Sequence, residues 1–207
     1  MSRAEKSTKN AIAAIISQCG FLILTFITRF IMIKSIGIEA VSLNGLFTEV
    51  IAMLSLVELG VGSAIVYNLY KPLAENDTQK LIQLMTLFKK AYRIRAIVMF
   101  LIGLCLLPNI DFFVSKVNIP ISYLRLIYFL FLLKTVCSYL LAYKISLINA
   151  DQKAYIVSTT NILTKCAFTV IEVILLVVFH NFVMFLILEI SFTLTANIIL
   201  SLIADKR

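Results

Sequence analysis

From Tyr155 to Ile203 the chain reads YIVSTTNILTKCAFTVIEVILLVVFHNFVMFLILEISFTLTANIILSLI. Two apolar runs, Tyr155 to Phe179 and Phe182 to Ile203, meet at His180-Asn181, and their only acidic or basic residues are Lys165, Glu172 and Glu189. About 20 apolar residues at 1.5 Å rise cross a hydrocarbon core of roughly 30 Å. Each run is long enough to span a bilayer as a helix.

Four similar runs precede them: Ala11 to Ile33, Leu43 to Leu69, Ile94 to Ile110 and Ile121 to Leu147. The 207 residues are 61 % hydrophobic and 14 % charged, against about 45–50 % and about 25 % in soluble domains. The predicted fold is all-α, a polytopic bundle of six transmembrane helices forming a single membrane domain over residues 1–207. The second and fourth runs exceed a minimal span, which implies tilt or extension beyond the membrane. The first run is too long, and too plainly followed by others, to be a cleavable signal peptide.

The formal charge of +8 is read by its location. Arg3, Lys6 and Lys9 precede the first run, and Lys71, Lys80, Lys89, Lys90, Arg93 and Arg95 lie between the second and third. Lys144, Lys153, Lys206 and Arg207 fall on the same side, while the opposite loops hold little more than Lys34 and Lys116. This is the positive-inside pattern, and it predicts a multi-pass protein with both termini cytoplasmic. A nucleic-acid partner would call for basic residues clustered with exposed aromatics, so none is expected.

Between the second and third runs, Pro72 is expected to end a helix and Asp77 to cap the next one. Leu81, Leu84, Met85, Phe88 and Tyr92 then recur at helical spacing, an amphipathic segment over 77–92. It fits a helix lying in the headgroup region, and equally a cytoplasmic extension of the third span.

Several chemistries are excluded. Gly60-Val61-Gly62 has Ile65 where a dinucleotide loop needs its third glycine. Ser63 is followed by Ala64 rather than the glycine of an intramembrane serine protease, and His180 is the only histidine. No acidic cluster has metal-ligand spacing, so no enzyme activity, cofactor or metal is expected. Cys19, Cys105, Cys137 and Cys166 form no C-x-x-C pair and read as small apolar core residues.

Polar residues inside membrane spans are costly, so their placement is informative. Ser158, Asn161, Lys165, Thr169 and Glu172 fall within about 40° of one direction on the fifth span, and Gln18, Thr25 and Arg29 within about 20° on the first. Glu49 and Glu58 point to opposite faces of the second. Depth matching pairs Arg29 with Glu49, Glu58 with Lys165, and Lys134 with Glu189. Arg125 and Lys144, at span ends, are expected to snorkel. The stripes fit either a clamp between helices or the lining of a water-filled cavity for a polar substrate.

From Thr28 to Arg93 an ordered set of fragments adds to this: Arg29 in the first span, Gly37-Ile38-Glu39, Leu43-Asn44-Gly45-Leu46-Phe47, Glu58-Leu59-Gly60-Val61-Gly62-Ser63-Ala64 and Leu69-Tyr70-Lys71-Pro72-Leu73-Ala74. The combination resembles the amino-terminal region of bacterial polysaccharide and oligosaccharide flippases, the Wzx-type branch of the superfamily that also holds the MATE drug exporters. The remaining spans match in hydropathy more than in motif. The resemblance implies a transporter in the bacterial inner membrane that moves an undecaprenyl-pyrophosphate-linked oligosaccharide to the outer leaflet for surface polysaccharide assembly. It also implies two lobes of helices, six in the first, around a cavity that is often cationic.

On that analogy Arg29, Lys134 and Lys165 are the expected anion contacts. Gln18, Thr25, Glu49, Glu58, Asn161, Thr169, Glu172 and Glu189 line the cavity or take part in coupling. The chain corresponds to the first lobe only, so the expected partners are the lipid-linked substrate, membrane lipid, and a second lobe or second copy of the chain. Two alternatives stand beside this reading: a MATE-like cation exporter lobe, and a non-transporting fragment or assembly component.

Overall fold

The computed structural model describes residues 3–55, 61–112 and 119–205. They form eight α-helices and one 3-10 turn, with no strand among them: α1 (Arg3–Ser35), α2 (Ile38–Ser55), α3 (Val61–Glu75), α4 (Thr78–Leu106) running into the turn Leu107–Phe112, α5 (Ile121–Tyr139), α6 (Ala142–Ala150), α7 (Ala154–Phe179) and α8 (Phe182–Asp205). Six helical segments are long and apolar enough to cross a membrane: Ser7–Ser35, Ile38–Ser55, Thr78–Ile110, Ile121–Tyr139, Ala154–Phe179 and Phe182–Asp205. This is the organisation of a multi-pass membrane protein.

Helix ends follow local chemistry. Gly37, at φ 105°, makes the turn between α1 and α2, a conformation that favours a residue without Cβ. His180 takes a left-handed conformation after α7, and Asn181 Oδ1 accepts from the backbone N–H groups of Val183 and Met184 to start α8. Asp77 caps α4 as expected, its carboxylate accepting from Lys80 N at 3.0 Å.

Three boundaries differ from the sequence reading. Pro72 does not end its helix, because it lies in the last turn of α3, where only one backbone bond is lost; left-handed Asn76 ends it instead. The run Leu43 to Leu69 covers most of α2, which starts earlier at Ile38, and part of α3, with residues 56–60 outside the described ones. The run Ile121 to Leu147 is divided at Leu140-Leu141, and the Asn197 amide donates to the Ser138 carbonyl that the break frees, at 3.2 Å. Hydropathy is blind to such breaks because both halves remain apolar.

The amphipathic segment is the first part of α4 and is continuous with the third span. Its apolar face packs against α3 and α6 around Ile65, Leu69, Phe88, Tyr92 and Tyr143 rather than lying free. The main core joins α2, α4, α5, α7 and α8 around Phe47, Tyr128 and Leu132. Phe47 meets Tyr128 edge-on at 5.7 Å, and the Tyr128 hydroxyl donates to the Gly103 carbonyl at 3.0 Å.

Gly103 lets α4 approach α5 closely, since a Cβ there would overlap the buried Leu132 side chain. Gly103→Val is expected to destabilise the bundle by about 1–3 kcal/mol through overpacking. Thermal unfolding in detergent checks this; an unchanged midpoint would show that Leu132 can yield.

Cys19, Cys105 and Cys166 are exposed on the bundle surface, and only Cys137 is partly buried. The expectation of core cysteines is corrected, and the reason is general. In a bilayer the outside of a helix is as apolar as its inside, so Ile12, Ile23, Phe26, Leu101 and Val170 are exposed as well.

Candidate functional site: a charged cleft

Lys134, Lys165, Glu172 and Glu189 come from α5, α7, α7 and α8, and they meet near the middle of the bundle. Lys165 Nζ donates to both carboxylate oxygens of Glu172, at 2.9 and 3.1 Å, and to Glu189 Oε1 at 2.6 Å. Lys134 Nζ donates to the other Glu189 oxygen at 2.6 Å. Glu172 has no exposed surface, and it also accepts from Thr28 Oγ1 of α1 at 3.4 Å.

The charges therefore alternate along Lys134, Glu189, Lys165 and Glu172. Alternation offsets the desolvation that each ion would suffer alone in a low-dielectric interior. One Glu189 oxygen serves each lysine, which makes this carboxylate the joint between α5 and α7. The seven-residue step from Lys165 to Glu172 is about two turns, which puts the two side chains on one face of α7.

Beside this chain a cleft of about 270 Å³ opens between α1, α2, α5, α7 and α8. Lys134, Lys165 and Glu189 form one wall, Thr25, Thr28 and Arg29 of α1 another, and Asn44 and Thr48 of α2 a third. Phe192 closes part of it, its ring centroid 5.2 Å from Lys165 Nζ. Arg29 is exposed to the cleft, and no described residue offers it a hydrogen-bond acceptor or a carboxylate. With Glu172 counted behind the wall, three cations face two carboxylates.

The three cations picked from sequence thus share one cleft, together with Thr25 and Glu189. The Lys134–Glu189 pair forms as expected. Arg29 and Glu49 do not pair: Glu49 is exposed on the α2 face opposite buried Leu43, Phe47 and Val50, while Arg29 turns to the cleft. Glu58 lies outside the described residues, so its pairing does too; the described partners of Lys165 are Glu172 and Glu189.

The remaining residues expected at the site fall away from the cleft. Gln18 is exposed on α1 and Asn161 half-buried on α7, and neither lines it. Thr169 and Glu172 are buried beneath the wall; the Thr169 hydroxyl has no partner among the described residues. The five-residue stripe of α7 therefore contributes one lining residue, Lys165, because α1 and α8 cover the rest. Arg125 donates to the Pro108 carbonyl at 3.3 Å, and Lys144 to Ser201 and Asp205 of α8, so both are held rather than simply snorkelling.

Thr28, Asn44 and Thr48 were not singled out from sequence. Asn44 and Thr48 share a helix face, one turn apart, and that spacing within the run Leu43 to Leu69 was the available signal. No family model, curated protein or solved structure matches this chain.

Proposed function

We propose that the cleft is part of the substrate path of a membrane transporter, a flippase lobe that moves an undecaprenyl-pyrophosphate-linked oligosaccharide across the bacterial inner membrane for surface polysaccharide assembly. The observation that carries this reading is Arg29. A membrane-embedded guanidinium with no acceptor among the described residues is unfavourable unless water or an anionic ligand supplies one. A guanidinium fork matches phosphate oxygens bidentately. Lys134 and Lys165 are balanced by Glu189 and Glu172, so the surplus positive charge of the cleft is that of Arg29.

A cation exporter would need free carboxylates, and both carboxylates of this site are taken by lysines. A purely structural clamp accounts for Lys134, Glu189, Lys165 and Glu172 but leaves Arg29 unexplained. The exposed Gln18 and Glu49 are poorly suited to lipid, which supports a second lobe or a second copy of the chain as the partner covering them. The basic residues of α3 and α4, from Lys71 to Arg95, support an orientation with both termini in the cytoplasm.

The test has two parts. Isothermal titration of the protein in nanodiscs with inorganic pyrophosphate should show saturable binding that Arg29→Ala weakens by about tenfold to a hundredfold, the worth of a hydrogen bond to a charged group. In a flippase-deficient strain, Arg29→Ala should abolish polysaccharide export while leaving membrane insertion intact, with Arg29→Lys partly active. Unchanged binding and export in Arg29→Ala would overturn the proposal.

A further inference from the structure

A second hollow, of about 530 Å³, lies between α3, α4 and α6, within the size range of small-molecule sites, about 300–1,000 Å³. Tyr67 and Tyr70, three residues apart on α3, form two of its walls; their rings stand at 84° with centroids 6.5 Å apart. Both are exposed, by 75 % and 45 %, so neither ring is spent on packing the core. Tyr92 of α4 is buried, its hydroxyl 3.3 Å from Ser146 Oγ of α6. Asn149, one turn further along α6, is half-buried, and its side-chain amide has no partner among the described residues.

We propose that this aromatic groove binds neutral pyranose rings, and so holds the glycan of the substrate; the proposal deepens the transport reading and rests on it for the glycan's source. The lining decides between ligands. Among the described residues it contains no charged side chain, so a phosphate or acidic headgroup finds no counter-ion among them. An acyl chain would leave the Asn149 amide and the Tyr67 and Tyr70 hydroxyls without partners. A pyranose lays an apolar C–H face on a ring and presents hydroxyls around its edge, which satisfies both kinds of surface. An interfacial belt accounts for tyrosines at the headgroup level singly. It does not account for three of them, a serine and an amide around one hollow.

The groove lies close to Lys71 and Arg93 in sequence, the basic side of the bundle, and apart from Arg29, whose cleft is lined by different residues throughout. Pyrophosphate and glycan are thereby assigned to separate surfaces: a cationic cleft for the charged group, an uncharged aromatic groove for the sugar. This division predicts that each can be disabled without the other.

The sequence contains no tryptophan, so Tyr67→Trp creates a single fluorescent reporter on an exposed position. In phosphatidylcholine nanodiscs, maltotriose, chitotriose and β-1,4-galactotriose are titrated separately. At least one should give a saturable change, weakened about tenfold by a further Tyr70→Ala or Asn149→Leu, the effect of one ring contact or one buried hydrogen bond. No saturable response to any of the three, with Arg29-dependent pyrophosphate binding intact, would overturn the groove and spare the cleft. A fluorescence change that follows added phosphatidylglycerol instead of sugar would overturn it as well. Loss of pyrophosphate binding with the sugar response intact would remove the cleft reading and leave the groove standing.

Discussion

Replacing Lys165 by methionine is expected to destabilise the protein by about 3–5 kcal/mol, the effect of stranding a buried charge by removing its partner. Glu172 has no exposed surface, and Lys165 holds both of its carboxylate oxygens. Without Lys165, the only described donor left to it is the Thr28 hydroxyl at 3.4 Å. Methionine keeps most of the stem volume, so packing changes little and the loss reports on charge.

The double variant Lys165→Met/Glu172→Leu removes both ions, and a buried pair replaced by apolar groups of similar volume is often neutral. It should recover stability to within about 1 kcal/mol of the parent, a non-additivity expected of residues in direct contact. Denaturant unfolding of all variants in one detergent measures it. A single variant as stable as the parent would mean that Glu172 is not charged or not dry. The recovered double variant also separates two roles of Lys165: if it contacts the transported anion, export should stay impaired in a protein that folds normally.

A second large effect is expected at Glu189, where one carboxylate joins two lysines. Glu189→Gln keeps the shape and removes the charge, so Lys134 loses its described counter-ion and Lys165 keeps only Glu172. Lys134 retains 33 % side-chain exposure in the cleft, which lets water screen part of its charge. The expected destabilisation is accordingly at the low end for a broken buried pair, about 3 kcal/mol. Adding Lys134→Met to Glu189→Gln should return part of that loss, because the stranded cation is then gone. If the double variant is less stable than Glu189→Gln alone, Lys134 is held by packing or water and the alternating chain is not the source of stability.

Much of this protein follows from its amino-acid order. The length and apolar density of Tyr155 to Phe179 and of Phe182 to Ile203 fix two membrane-spanning helices without any tertiary information, because a bilayer permits no other way to satisfy so long a lone apolar backbone. The expense of charge in oil singled out Arg29, Lys134, Lys165, Glu172 and Glu189 before any fold was known. Periodicity placed Lys165 and Glu172 on one face of α7, and depth alone paired Lys134 with Glu189.

What the fold decided is which way each face turns. Hydropathy gives the same value to a side chain in contact with lipid and to one in a core, so Cys19, Cys105 and Cys166 read as interior and lie outside. For the same reason the break at Leu140-Leu141 left no trace in composition. Partner choice was equally a matter of tertiary geometry. Arg29 and Glu49 match in depth yet stay apart, since the rotation of α2 about its own axis sends Glu49 outward. Lys165 is bound by a carboxylate two turns along its own helix and by another from α8. Sequence periodicity fixes angles around one helix axis; only the packing of several helices fixes one axis against another, and that relation decides which charges meet and which are left open to a ligand.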